Sequence, residues 1–129
     1  MSTPLQKVSA AFGAVFLLIG ILGFVLGSSS MSPDHLFGLF RVNIVHNIVH
    51  AAFGAWGLVA SRTHAMAESY AQIAGVVYLV LALLGFFAPD GFGFVPIGDH
   101  NIWLHGLIGL VLLYFGFGSV LAEDNLRME

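Results

Sequence analysis

The residues of this chain that could do chemistry are histidines and asparagines near the start of two apolar stretches. In one stretch, polar residues follow the i, i+3, i+4, i+7 spacing that places side chains on one helical face: Asn43, His46, Asn47 and His50. In the other stretch, Asn101 and His105 are four residues apart. Together they predict a polar pocket between two helices, lined by Asn43, His46, Asn47, His50, Asn101 and His105.

One use of such a pocket is metal binding. His46 and His50 have the His-x-x-x-His spacing that lets two imidazoles on one helix hold the same ion. His105 is the candidate third ligand, and the expected sources of a fourth are Asp99, His100 and His35. The chain has no cysteine, so its ligands would be nitrogen-rich, which suits Zn²⁺, Cu²⁺ or Ni²⁺.

The same residues allow three other interpretations. His50 and His105 could be the two axial ligands of a b-type haem. Histidine and asparagine side chains could also hydrogen-bond across helices and fix their register, with no cofactor at all, and we favour this structural interpretation at the level of sequence. Finally, histidines inside a membrane often mark a proton relay or a transport path.

The composition places these residues in a membrane protein. Of the 129 residues, 58% are hydrophobic and 9% are charged, whereas soluble domains carry about 25% charged residues. This excludes a soluble enzyme and a disordered chain. A net charge of −3 argues against a nucleic-acid partner. No Ser-His-Asp set or phosphate-binding loop is evident, so we predict that the protein is not an enzyme.

Four apolar stretches must position the polar residues. They cover about residues 8–27, 43–61, 70–88 and 101–121, and none contains Lys, Arg, Asp or Glu. Each is close to the ~20 residues that cross a bilayer as a helix. We therefore predict an all-α, four-helix bundle that forms a single transmembrane domain. Lys7, Arg62 and Arg127 would share one side against Arg41, which predicts cytoplasmic termini and a pocket at the outer end.

The four stretches also indicate an internal repeat. Residues 13–17 match residues 75–79, His50 aligns with His105, and Gly54 aligns with Gly109. The chain is thus predicted to consist of two tandem helical hairpins, related by a pseudo-twofold axis along the membrane normal.

Two motifs resemble those of a known family. His46-Asn47-Ile48-Val49-His50 followed by Gly54 and Gly57, and Pro96-Ile97 followed by Leu104-His105, resemble the signatures of small bacterial membrane proteins grouped as domain of unknown function 4383. Asn101-Ile102 stands where that family usually has Asp-Asn. The resemblance implies a four-span protein of a bacterial inner or internal membrane, and it implies no activity.

The leading functional hypothesis is a non-enzymatic accessory or assembly subunit of a larger membrane complex. The small size and the apolar outer loop around residues 35–41 favour it, because exposed aromatic residues mark interaction sites. The expected partners are the lipid bilayer and either another membrane protein or a second copy of the chain. The alternatives are a metal- or haem-binding module and a small transporter or proton relay.

Overall fold

Four helices form the body of the protein. The computed structural model describes residues 2–128, except for the side chains of residues 119–126. The helices are α1 (Pro4–Leu22), α2 (Ile44–Ala60), α3 (His64–Phe87) and α4 (His100–Met128). The prediction of four helices is therefore confirmed. Three of them are long and apolar enough to cross a membrane, counting α1 together with the π-helical stretch Gly23–Gly27 that follows it, whereas α2 has 17 residues.

Polar side chains fix where three of the helices begin. Thr3 and Gln6 form a capping box at the start of α1, and the side chains of Asn43 and Thr63 accept backbone N–H groups at the starts of α2 and α3. Because of the Thr63 cap, α3 begins at His64, six residues before the apolar stretch that predicted it. Hydrophobicity marks the part of a helix that suits lipid, and capping marks where the helix starts.

The loop between α1 and α2 contains a small β-hairpin that the sequence analysis treated as an apolar loop. Strands β1 (Asp34–Leu36) and β2 (Phe40–Val42) pair antiparallel, with His35 opposite Arg41. Between them Phe37 and Gly38 both have positive φ, which is typical of a type I′ turn. Leu36 and Val42 are buried, so the hairpin is anchored to the bundle by one apolar side chain from each strand.

Glycines let the helices pack closely in two pairs, α1 with α2 and α3 with α4. A β-carbon on Gly54 would lie 2.7 Å from the Cα of Leu17, and one on Gly109 would lie 2.7 Å from the backbone nitrogen of Leu79. Neither position has room for a side chain. Close approach of this kind is how helices associate in lipid, where burial of apolar surface gives no driving force.

The two helix pairs meet around aromatic side chains. Phe16 of α1 stacks on Tyr78 of α3 with ring centroids 5.1 Å apart. Tyr70 of α3 donates a hydrogen bond of 3.0 Å to the backbone oxygen of Phe53 in α2. The outer surface carries large exposed apolar side chains, among them Val25, Phe86, Phe87 and Tyr114. The fold therefore presents apolar groups outward and keeps its polar groups between the helices.

The packing at Gly54 generates a first prediction. We expect Gly54→Ala to lower the free energy of unfolding by about 1–3 kcal/mol, because the added methyl group would force α1 and α2 apart. Gly118→Ala is the matched control, since a β-carbon there would meet nothing within 4 Å and alanine is the better helix former. Unfolding titrations in mild detergent measure both. Equal stabilities for the two variants would contradict the packing described here.

Candidate functional site

Three histidines converge between the helices, near the starts of α2 and α4. His46 and His50 lie one turn apart on α2, and His105 approaches from α4. The rings of His46 and His50 are stacked with centroids 4.3 Å apart, and the His105 ring lies 5.9 Å from His46 and 6.0 Å from His50. Taking one ring nitrogen from each, the three atoms lie within 4.8 Å of one another. The structure thus brings together all three residues that the sequence predicted as metal ligands.

These imidazoles are buried, and within the described part of the chain their nitrogens lack partners. His46, His50 and His105 are 5%, 3% and 1% exposed. Among the residues that the structure describes, none of the six ring nitrogens has a hydrogen-bond partner. A buried polar group without a partner costs about 1–3 kcal/mol. Three such side chains in contact therefore destabilise the fold unless another group binds their ring nitrogens.

The surrounding contacts hold the rings in place through apolar and aromatic atoms. Phe16 meets His50 edge to face at 5.6 Å, and Tyr78 meets His50 and His105 at 5.8 and 5.3 Å. Such contacts fix ring orientation and leave the nitrogens free. An arrangement of this kind keeps imidazole nitrogens available to a ligand.

Two of the three asparagines of the predicted pocket attach outer loops to the bundle. Asn43 caps α2 and donates to the backbone oxygens of Met31 and Phe94, at 3.3 and 2.9 Å. Asn101 donates to the backbone oxygens of Arg41 and Pro96, at 2.9 and 3.2 Å. They connect segments on both sides of the site and do not face the histidines as ligands.

The third asparagine is enclosed by the π-helical stretch at the end of α1. Asn47 donates a hydrogen bond of 2.7 Å to the backbone oxygen of Ser28. Its side chain fills the space where a β-carbon on Gly23 would lie, so only glycine fits there. A π-helical stretch inserts an extra residue into a helix, and here it makes room for a buried amide. The sequence did not predict this irregularity.

A small cavity adjoins the three histidines. Its volume is about 70 Å³. Besides the three imidazoles it is lined by Val49, Tyr78, Leu81, Val95 and Ile97. We refer to it as the histidine cavity. Tyr78 is fully buried, and its hydroxyl has no hydrogen-bond partner among the described residues.

Tyr78 was not predicted as a site residue. The only signal was its place in the repeat, where it aligns with Phe16 and adds a hydroxyl to an apolar helix.

The three residues expected to provide a fourth ligand lie elsewhere. His35, Asp99 and His100 are exposed and line a separate groove at the surface. The expectation that one of them completes the metal site is wrong, because the loop that contains Val95 and Ile97 covers the histidines on that side.

On the outer surface of this loop lies a pocket of about 310 Å³, where Arg41 and Asp90 form an ion pair of 3.2 Å. Val95 lines both this pocket and the histidine cavity.

Comparison with known proteins gives one match. The family model described as Domain of unknown function (DUF4383) matches residues 6–118, a range that includes the histidine cavity and both asparagine-anchored loops. No curated protein and no solved structure matches the chain.

The loop contacts of Asn101 generate a second prediction. We expect Asn101→Leu to lower the free energy of unfolding by about 1–3 kcal/mol, because two buried backbone oxygens lose a donor. Amide hydrogen exchange in residues 89–98 should become faster. Trp103→Phe is the control, since it removes an exposed hydrogen bond to His100 and should change stability by less than about 0.5 kcal/mol. Unchanged exchange in Asn101→Leu would show that the loop is held by other contacts.

Proposed function

This chain belongs to the DUF4383 family, and we propose that it binds one transition-metal ion between its helices through His46, His50 and His105. The proposal rests on one observation: three buried, adjacent imidazoles have no hydrogen-bond partners among the described residues. A metal ion satisfies one nitrogen of each ring at once. The hydroxyl of Tyr78, which lines the histidine cavity, can then accept a hydrogen bond from the second nitrogen of one ring or contact a molecule bound to the ion.

The distances suit a bare ion. At the largest separation of 4.8 Å, an ion at the centre of the three atoms lies about 2.8 Å from each, so each nitrogen must move ~0.7 Å to reach a zinc–nitrogen bond of about 2.0–2.1 Å. The stacked rings of His46 and His50 must also tilt, because an imidazole binds a metal ion in the plane of its ring. Three neutral imidazoles without thiolate or carboxylate suit zinc, copper or nickel. Three protein ligands also leave one position open, as in catalytic zinc sites.

The alternatives fit less well. Sites for large ligands measure about 300–1,000 Å³, and the histidine cavity, at about 70 Å³, has no space for a porphyrin. A purely structural role would require the imidazoles to bond across the helices, and no described residue bonds to them. On this proposal the protein is a non-enzymatic metal-binding module. Its role as an accessory subunit of a larger complex, with a membrane-protein partner or a second copy, stays a prediction.

We further propose that all four helices span a bacterial inner or internal membrane, with both termini in the cytoplasm. The exposed apolar side chains of the outer surface support insertion, and 17 residues are at the short end of the range that crosses a bilayer. On this orientation the histidine cavity lies towards the outer side.

The two helix pairs are proposed to be copies of one hairpin. Equivalent contacts support this: Gly54 packs on Leu17 and Gly109 packs on Leu79, and Leu17 and Leu79 occupy matching positions in the sequence.

Metal binding is tested by titration. We expect the purified protein in detergent to bind one Zn²⁺ per chain by calorimetry, and Co²⁺ to give the intense visible absorption of a tetrahedral site. His46→Ala, His50→Ala and His105→Ala should each weaken binding by more than the roughly 10–100-fold that loss of an outer-shell partner costs.

The other histidines of the outer side provide matched controls. His35→Ala and His100→Ala remove exposed imidazoles that lie outside the histidine cavity. Both variants should bind Zn²⁺ as the unaltered protein does. Binding that persists in all three cavity variants, or that is lost in the surface variants, would refute the proposed site.

The orientation is tested by cysteine labelling, which is clean because the chain has no cysteine of its own. Ser29, in the loop between α1 and α2, and Ala65, at the start of α3, are exposed and lie on opposite sides of the proposed membrane. A membrane-impermeant maleimide added to spheroplasts should label Ser29→Cys, and it should label Ala65→Cys only after permeabilisation. The reverse pattern would invert the orientation, and labelling of both would contradict insertion.

A further inference from the structure

We infer that this site, when it holds copper(I), carries an open coordination position facing the histidine cavity, and that it binds there a small uncharged molecule of two or three atoms, of the class of O₂, CO or NO. The inference rests on the proposed metal site and names the ligand that the site would take. It follows from the size of the cavity, from its lining and from the unpartnered hydroxyl of Tyr78.

The volume limits the size of the ligand. The histidine cavity holds about 70 Å³, less than half of a cavity of about 150 Å³ that binds benzene. It is also larger than the ~10–15 Å³ that one water molecule requires. A ligand of two or three atoms therefore fits between the ion and the opposite wall, and an organic substrate does not.

The lining determines the polarity of the ligand. Apart from the imidazoles and Tyr78, the walls are the aliphatic side chains of Val49, Leu81, Val95 and Ile97. Within the described part of the chain, the residues that line the cavity are uncharged. A neutral diatomic molecule enters such apolar space without the desolvation cost that an anion has to meet. The lining therefore suits small apolar molecules.

Tyr78 supplies the one polar contact that such a ligand can use. Its hydroxyl is buried and lacks a partner among the described residues, although its ring is held by Phe16 and His105. A molecule bound end-on to the ion presents its far atom to the cavity, where this hydroxyl can donate a hydrogen bond. Phe16, the residue at the matching place in α1, has no hydroxyl, so this donor comes from one helix pair only.

The test uses copper(I) as the metal and carbon monoxide as the ligand. Copper(I) accepts three imidazoles and a fourth neutral ligand, and the bound C–O stretch is visible in the infrared. We expect one CO per copper in the unaltered protein. Val49→Phe and Leu81→Trp, which fill the cavity from different helices, should each weaken CO binding by about tenfold or more with copper content unchanged.

Neighbouring exposed positions provide the controls. Ile48→Phe and Leu83→Trp add the same side chains to the outer surface and should bind CO normally, because Ile48 and Leu83 are 53% and 56% exposed. Tyr78→Phe should retain copper and CO but shift the C–O stretching frequency, a change that loss of a purely structural contact would not produce.

The outcomes separate this inference from the proposed function. A protein that binds no metal overturns both. Copper bound through the three histidines without CO binding overturns the open position alone. CO affinity that is unchanged in both Val49→Phe and Leu81→Trp overturns the assignment of the cavity as the ligand site. An unshifted C–O stretch in Tyr78→Phe overturns the role of its hydroxyl.

Discussion

The structure depends on one constraint: a polar group enclosed among apolar helices must find a partner that is not water. Ser9 satisfies this constraint by donating a hydrogen bond to the backbone oxygen of Gly57. Gln72 satisfies it by donating a hydrogen bond to the backbone oxygen of Gly116. Asn43 and Asn101 meet it through loop carbonyls. The three imidazoles of the histidine cavity do not meet it within the described residues. The Tyr78 hydroxyl and the side-chain oxygen of Asn47 also lack a partner among these residues, so the unpartnered buried groups gather around the histidines.

Close helix packing turns a sequence pattern into this cluster. The histidines on one face of α2 meet the histidine of α4 where the two helix pairs pack around Phe16 and Tyr78. Gly54 lies one turn beyond His50, and Gly109 lies one turn beyond His105, and each packs against the backbone of a neighbouring helix. The glycines therefore seat each histidine-bearing helix against its hairpin partner, and the aromatic contacts between the two pairs bring the imidazoles together.

The sequence predicted the helices and the histidines because both follow from periodicity and hydropathy. The face shared by His46 and His50 is fixed by 3.6 residues per turn, whatever surrounds it. The partners of the asparagines could not be predicted, since an amide side chain bonds equally well to a ligand or to a loop carbonyl whose position depends on the fold. Tyr78 was missed for a similar reason, because a tyrosine in an apolar helix is usually a packing residue. The β-hairpin was not predicted, because strands of three residues are too short to show an alternating apolar–polar pattern.

The differences between the two helix pairs carry more functional information than their similarities. On the proposed repeat, His50 and His105 are equivalent, and a symmetric pair of imidazoles provides two ligands. The equivalent of His46 is Asn101, so the third imidazole belongs to one half, while the other half uses that position to hold the loop over the cavity. Tyr78 likewise differs from its equivalent, Phe16, by one hydroxyl group. Each difference adds a group that a symmetric bundle lacks, and together they add a third imidazole, a loop held over the cavity and a buried hydroxyl to a contact between two histidines.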